Sequence, residues 1–163
     1  DVCSSDLEMI DEMLDAAAVG DITNGLVATV QEVGFEGALS PVRAVALLEP
    51  LFLGGAMRVA WPVALEVAAL CAGRPRTVAG LDRLLGLLAT YAVEVPRPVE
   101  LPAAVARLAE GRTKTALEAR RLITLTGATT GPDGDAPRLL GLWREGSEPG
   151  PWELAYQIGR AHV

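Results

Sequence analysis

Histidine and cysteine are scarce in this sequence. Its 163 residues include one histidine, His162, and two cysteines, Cys3 and Cys71. Nucleophilic catalysis needs a base beside the nucleophile, and zinc sites gather several thiolate or imidazole ligands. The sequence therefore predicts no serine–histidine or cysteine–histidine catalysis, no zinc site of these ligands and no cofactor. We expect a protein that is not an enzyme.

Nucleotide-binding loops are also missing. The two glycine-rich segments, 54–55 and 127–134, lack the lysine of a P-loop and follow no predicted strand. A P-loop holds phosphate with its backbone amides and with that lysine, at the turn between a strand and a helix. No nucleotide site is therefore predicted.

No apolar run is long enough to cross a membrane. The segment 40–73 is mostly hydrophobic, but charged residues interrupt it at Arg43, Glu49, Arg58 and Glu66. A membrane-spanning helix needs about 18–20 uncharged residues. We therefore expect this segment to be a buried helix pair, and we expect no membrane partner.

The hydrophobic residues that are present favour helices. Aromatic residues make up only 4% of the chain, whereas 50% of it is hydrophobic, mostly as alanine, leucine and valine. These side chains suit helix formation and close helix–helix packing. Few of them alternate with polar residues in the way that a strand requires. The composition predicts an all-α fold.

The two termini are related through the genetic code. Residues 1–7, DVCSSDL, can be encoded by DNA whose reverse complement encodes QIGRAHV, which is residues 157–163. Such a pair resembles one sequencing adapter translated on both strands, so we expect both segments to be artefacts and the rest to be a fragment of a longer protein. Since Cys3 and His162 lie inside these segments, Cys71 is left without a disulfide partner. The expected location is the cytoplasm.

Helical periodicity and turn residues divide the remaining chain into successive helices. Residues 8–127 are interpreted as a helical-repeat segment, and 128–156 as a loop, a short helix and the start of a further, truncated helix. The four carboxylates of the first helix are interpreted as its solvated face. The predicted helices span about 8–19, 22–33, 41–53, 57–72, 78–92, 102–109, 115–126 and 137–144.

Two of these helices begin with capping signals. Ser40 is placed as an N-cap, with Pro41 at the first helical position. Thr115 and Glu118 have the spacing of a capping box, in which each residue satisfies an amide near the helix start. Gly127 follows as the predicted stop of that helix.

Glycine and proline give further predicted boundaries. Gly34 is expected to close the second helix, and Pro50 is expected to end or kink the third near its last turn. Pro62 is compatible with a kink in the fourth helix or with its start. Because short connections favour antiparallel pairs, the predicted architecture is an α-solenoid of HEAT-like helical hairpins. An irregular helical bundle is the alternative.

The segment 74–126 resembles part of a family of large, uncharacterised bacterial HEAT-like helical-repeat proteins. The motifs are a leucine-rich helix (GLDRLLGLLATYA), a proline-rich turn, a linker (EGRTKTA) and a helix (LEARRL), followed downstream by a turn (GSEPGPWELA). The resemblance is looser over residues 11–72. It implies partners among MoxR-type AAA ATPases and von Willebrand A domain proteins. It implies no catalytic residues.

Several basic residues and two tryptophans form a candidate partner-binding surface. Its basic residues lie close together in sequence, but Glu110 and Glu118 lie among them and the chain carries a net charge of −7. A polyanion is repelled by such a chain, so nucleic acid is not an expected partner. Trp143 and Trp152 flank a Pro-Gly-Pro turn and are interpreted as core residues or as part of a binding groove. The candidate residues are Arg107, Arg112, Lys114, Arg120, Arg121, Trp143 and Trp152.

These observations predict a scaffold that binds another protein. Two alternatives stay open. One is an accessory helical domain of an enzyme whose catalytic part lies outside this chain. The other is a small-molecule sensor with an apolar pocket near Trp61, a residue that is otherwise expected in the core.

Overall fold

The fold is all-helical in the part of the chain that the computed structural model describes, which is residues 16–35, 39–72, 80–93, 97–130, 133–146, 148–150 and 153. These ranges contain no strand; Thr113 and Arg144 form a single isolated parallel bridge. The prediction of an all-α fold is confirmed. The helices are α1 (Ala16–Phe35), α2 (Pro41–Leu53), α3 (Met57–Ala72), α4 (Leu81–Ala92), α5 (Leu101–Ala109), α6 (Ala116–Thr126) and α7 (Ala136–Trp143).

The chain forms two compact units, Asp1–Ala79 and Gly80–Val163. In the first unit α3 packs against α1 and α2, and in the second unit α6 packs against α4 and α5. The division lies inside the predicted repeat segment 8–127. The α-solenoid and the irregular bundle both stay predictions from the sequence. Among the described helices, none is both long enough and apolar enough to span a membrane.

Helix α1 differs from the prediction, which placed a break between residues 19 and 22. One continuous helix runs through Gly20. Its buried residues Val19 and Val30 lie on one stripe that crosses the glycine, and packing against α3 offsets the roughly 1 kcal/mol that a helical glycine costs. Gly34 does not close the helix but packs on Leu70, since a Cβ there would lie 3.3 Å from Cδ1 of that leucine. The acidic residues predicted to begin this region lie outside the described part of the chain.

Helix α2 begins as predicted. The Oγ of Ser40 accepts a hydrogen bond from the amide of Arg43 at 3.3 Å, and Pro41 is the first helical residue. Pro50 lies inside α2, which ends within one turn of it at Leu53. The predicted effect of Pro50 on the last turn therefore agrees with the structure.

Helix α3 supplies most of the core of the first unit. It has the predicted bounds, and Pro62 lies inside it, so this proline does not mark the start of the helix. Trp61 is 6% exposed and meets Phe52 edge-on, with ring centroids 4.9 Å apart. Cys71 is buried at 1% exposure. Trp61 is a core residue, as the sequence indicated.

The second unit follows the predicted pattern closely. The buried stripe of α4 is Leu81, Leu84, Leu85, Leu88 and Ala92. Helix α4 begins at Leu81 and not at the predicted residue 78, because its N-cap Gly80 has a left-handed φ of 85°. Helix α6 ends at Thr126, and its C-cap is the predicted stop Gly127, whose φ of 69° is a left-handed conformation that glycine adopts without a Cβ clash.

A hydrogen-bonded loop leads into α7. The Oδ1 of Asp135 accepts hydrogen bonds from the amide and the hydroxyl of Thr129, at 2.7 and 2.9 Å. The amide of Asp135 donates in return to the Oγ1 of Thr129 at 3.0 Å. These bonds from the Thr129 backbone and side chain hold the pKa of Asp135 below its ordinary value. These hydrogen bonds therefore join Thr129 to Asp135, the residue directly before α7.

Candidate functional site

The loop after α5 is hydrogen-bonded to the end of α7. The amide of Gly111 donates to the carbonyl of Leu142 at 3.0 Å, and the amide of Thr113 donates to the carbonyl of Trp143 at 2.7 Å. The amide of Glu145 donates to the carbonyl of Thr113 at 2.9 Å. Two helices that are distant in sequence thus end side by side.

A groove of about 240 Å³ lies between these helices. Leu142 stands at its edge with 52% of its surface exposed, whereas Trp143 is only 1% exposed and forms part of the wall. Four of the six lining residues are apolar, so the groove can receive an apolar side chain. The lining residues are Ala106, Arg107 and Glu110 from the α5 side and Leu139, Leu142 and Trp143 from α7.

The charged residues of this groove carry opposite signs. Arg107 and Glu110 are both exposed and lie three residues apart at the end of α5. Within the described ranges neither side chain forms an ion pair, in contrast to Lys114 and Arg144. The groove therefore presents one cation and one anion beside an apolar floor.

Arg112 and Lys114, two further predicted residues, are engaged within the second unit. The Nη1 of Arg112 donates to the carbonyl of Leu108 at 3.0 Å, where it satisfies an acceptor in the last turn of α5. The Nζ of Lys114 lies 3.4 Å from the Oε2 of Glu145, and both side chains are more than half exposed. An exposed pair of this kind contributes little stability.

From the helical pattern, Arg120 and Arg121 are predicted on the solvent side of α6, with Arg121 close enough to Glu118 for a weak ion pair. For Arg121 the predicted position is wrong. This residue is partly buried, and its Nη1 donates to the backbone carbonyl of Asp82 on α4. Gly86 leaves room for the guanidinium group, because a Cβ at that position would lie 2.8 Å from Cζ of Arg121. The predicted weak pair of Arg121 with Glu118 is not among the ion pairs of the described residues. Arg120 is exposed.

The candidate residues are therefore not one continuous surface. Arg107 and Trp143 line the groove, Arg112 and Lys114 belong to the adjoining loop, and Arg121 joins α4 to α6. The burial of Trp143 makes it a core residue that also lines the groove. Trp152 lies outside the described residues.

Glu118, which was predicted as a capping residue and lies in sequence among the basic residues, is a buried carboxyl group. It is 6% exposed, and burial raises its pKa above the ordinary value. Two hydrogen bonds lower the pKa of Glu118: one from the hydroxyl of Thr115 to Oε1 at 3.0 Å, and one from the backbone of Lys114. The negative charge of Asp82 raises this pKa further. The capping box was the sequence signal, because it turns this side chain back toward the loop.

A second buried carboxylate had no sequence signal. Glu153 is 1% exposed, and its Oε1 lies 2.9 Å from the Nη1 of Arg144. The hydroxyl of Thr113, which is also 1% exposed, has no hydrogen-bond partner in the described structure. Helical periodicity predicts contacts between residues three or four positions apart on one helix. It could not reveal the contact between Arg144 and Glu153, which are nine positions apart.

Comparisons with known protein families, curated sequences and solved structures find no significant match for this chain. The described residues also contain no group of three or more histidine, cysteine, aspartate or glutamate side chains able to hold a metal ion. Among the described residues, the groove between α5 and α7 is the candidate binding site.

Proposed function

We propose that this protein is a non-enzymatic scaffold that binds another protein through the groove between α5 and α7. The observation that supports this proposal is the exposed side chain of Leu142 beside the apolar wall formed by Leu139 and Trp143. Burial of apolar surface gains about 25 cal/mol per Å². An apolar side chain of a partner placed here would shield Leu142 from water.

The charged residues of the groove would orient that partner. Arg107 and Glu110 stand beside the apolar wall, and polar groups around an apolar centre are the usual arrangement of protein interfaces. They add specificity and association rate more than affinity. The proposed partners are a MoxR-type AAA ATPase or a von Willebrand A domain protein, on the strength of the sequence resemblance, and the proposed location is the cytoplasm.

Binding measurements on the full chain test this proposal. Calorimetry would be run with a MoxR-type AAA ATPase and with a von Willebrand A domain protein encoded beside the gene. The variant Leu142→Gln removes apolar surface from the groove without adding charge, and it should weaken binding roughly tenfold. Leu117→Gln is the matched control, because Leu117 is 45% exposed on α6 and does not line the groove.

Two results would count against the proposal. If the unmodified chain binds neither protein, the proposed partners are wrong. Equal binding by the Leu142→Gln and unmodified chains would remove the groove as the contact surface.

A further inference from the structure

The groove carries one positive and one negative side chain, and a partner that fills it must match both charges. Arg107 and Glu110 lie three residues apart at the end of α5, which corresponds to about 4.5 Å along a helix axis. Both are exposed, and no ion pair engages either of them in the described part of the chain. A partner segment with charge of one sign would neutralise one of them and leave the other facing a like charge.

A second copy of the same surface neutralises both. Around a twofold axis each residue i that contacts j is matched by j contacting i. When two α5 helices lie antiparallel across such an axis, Arg107 of each copy faces Glu110 of the other. The pair of charges is therefore complementary to itself, and two ion pairs form from one surface.

The apolar residues of the same surface allow this approach. Ala103 is exposed and Ala106 is partly buried on α5, so no large side chain keeps a second helix away there. Leu142 is 52% exposed beside the groove. In a twofold arrangement Leu142 of each copy can enter the groove of the other and lose its contact with water.

We infer that a second copy of this chain occupies the groove between α5 and α7, forming a twofold-symmetric homodimer held by Arg107, Glu110 and Leu142. This inference rests on the proposed function in taking the same groove as a protein-binding surface, so a second copy and another protein would compete for that groove. Each copy carries a net charge of −7, which opposes association. That repulsion is largely screened beyond about 8 Å at physiological salt, whereas the charge pairs at the interface are in contact.

Sedimentation equilibrium of the full chain at physiological salt tests the inference. Arg107→Glu places two negative charges on each surface, and Glu110→Arg places two positive charges there. Each variant alone should lose dimerisation, with a dissociation constant raised roughly tenfold or more, because like charges then face each other. An equimolar mixture of the two variants should form a heterodimer, since each negative surface meets a positive one.

The double variant Arg107→Glu/Glu110→Arg provides a second check. It restores both opposite-charge contacts in exchanged positions and should dimerise as the unmodified chain does. Circular dichroism of each variant confirms that the helices are retained. Leu142→Gln should weaken the dimer, whereas Leu117→Gln should not.

Specific outcomes would overturn the inference. They are an unmodified chain that stays monomeric up to about 1 mM, single variants that dimerise like the unmodified chain, or a mixture that forms no heterodimer. If the chain is monomeric yet Leu142→Gln abolishes binding to an ATPase or a von Willebrand A domain protein, the homodimer is wrong and the proposed function is supported. If the chain dimerises but binds neither protein, the homodimer is supported and the proposed partners are wrong.

Discussion

The guanidinium group of Arg121 on α6 donates a hydrogen bond to the backbone carbonyl of Asp82 on α4. It occupies the space that a side chain at Gly86 would need, with Cζ 2.8 Å from the position of such a Cβ. An arginine that stands among several basic residues in the sequence therefore connects two helices of the second unit. Its guanidinium group is directed toward a backbone acceptor.

This arrangement predicts that the effects of substitutions at residues 86 and 121 depend on each other. Gly86→Ala in an otherwise unmodified chain displaces Arg121 and should give little or no net stabilisation. In the Arg121→Ala background the same change should stabilise the protein by about 1 kcal/mol, the usual gain of alanine over glycine in a helix. Urea unfolding of all four chains gives the coupling energy. Additive effects within about 0.4 kcal/mol would show that the two residues do not share this space.

Helix bounds could be predicted from the sequence where capping or breaking residues mark them. The bounds of α2 and α3 agree with the prediction, because Ser40, Pro41 and the Gly54–Gly55 turn are local signals. The predicted break near Gly20 is wrong, because burial of a continuous stripe along α1 overrides the weak preference of one glycine. The helix propensity of single residues does not indicate that α1 packs against α3 along its length.

The candidate site could be predicted only in part, for a similar reason. Arg107 and Trp143 were among the expected residues, and the structure places both at the groove. Glu110 and Leu142 have no distinguishing sequence pattern, and their role follows from the hydrogen bonds that join the loop at Gly111 to α7. Contacts between segments that are distant in sequence decide which surface residues share a groove.

The buried carboxyl of Glu118 predicts a pH dependence of stability. Its raised pKa means that the folded state binds the proton more tightly than the unfolded state does. Glu118 therefore contributes stability at low pH that is lost as the pH rises from about 4.5 through the folded-state pKa. The side chain of Glu118→Gln stays neutral at every pH. The unfolding free energy of this variant, measured in urea, should therefore rise relative to that of the unmodified chain as the pH is increased from about 4 to about 7. A stability difference that is constant with pH, or that shifts the other way, would contradict this assignment.

Gly134 and Gly141 predict alanine substitutions of opposite sign. A Cβ at Gly134 would lie 2.2 Å from the carbonyl oxygen of Thr129, which is backbone and cannot move without opening the loop. Gly134→Ala should therefore destabilise the protein by about 1–3 kcal/mol. Gly141 lies within α7, where the nearest atom to a Cβ outside the local helix backbone is Nη1 of Arg144 at 3.8 Å, so Gly141→Ala should stabilise by about 1 kcal/mol. Thermal unfolding of the two variants measures both effects, and a shift of the same sign in each would refute the prediction.

The pair formed by Arg144 and Glu153 predicts a rescue by a second substitution. Arg144 is the basic partner of a carboxylate that is 1% exposed, at a distance of 2.9 Å. Removing the cation in Arg144→Ala leaves that charge buried, and breaking a buried pair in this way costs about 3–5 kcal/mol. Since Arg144 itself keeps 21% of its side chain exposed, the lower end of this range is expected. Glu153→Gln in the Arg144→Ala background removes the buried charge and should restore part of the lost stability, although the same change in the unmodified chain destabilises it. Unfolding free energies at neutral pH measure both steps. If Glu153→Gln lowers stability equally in the two backgrounds, the carboxylate does not depend on Arg144 for its charge compensation.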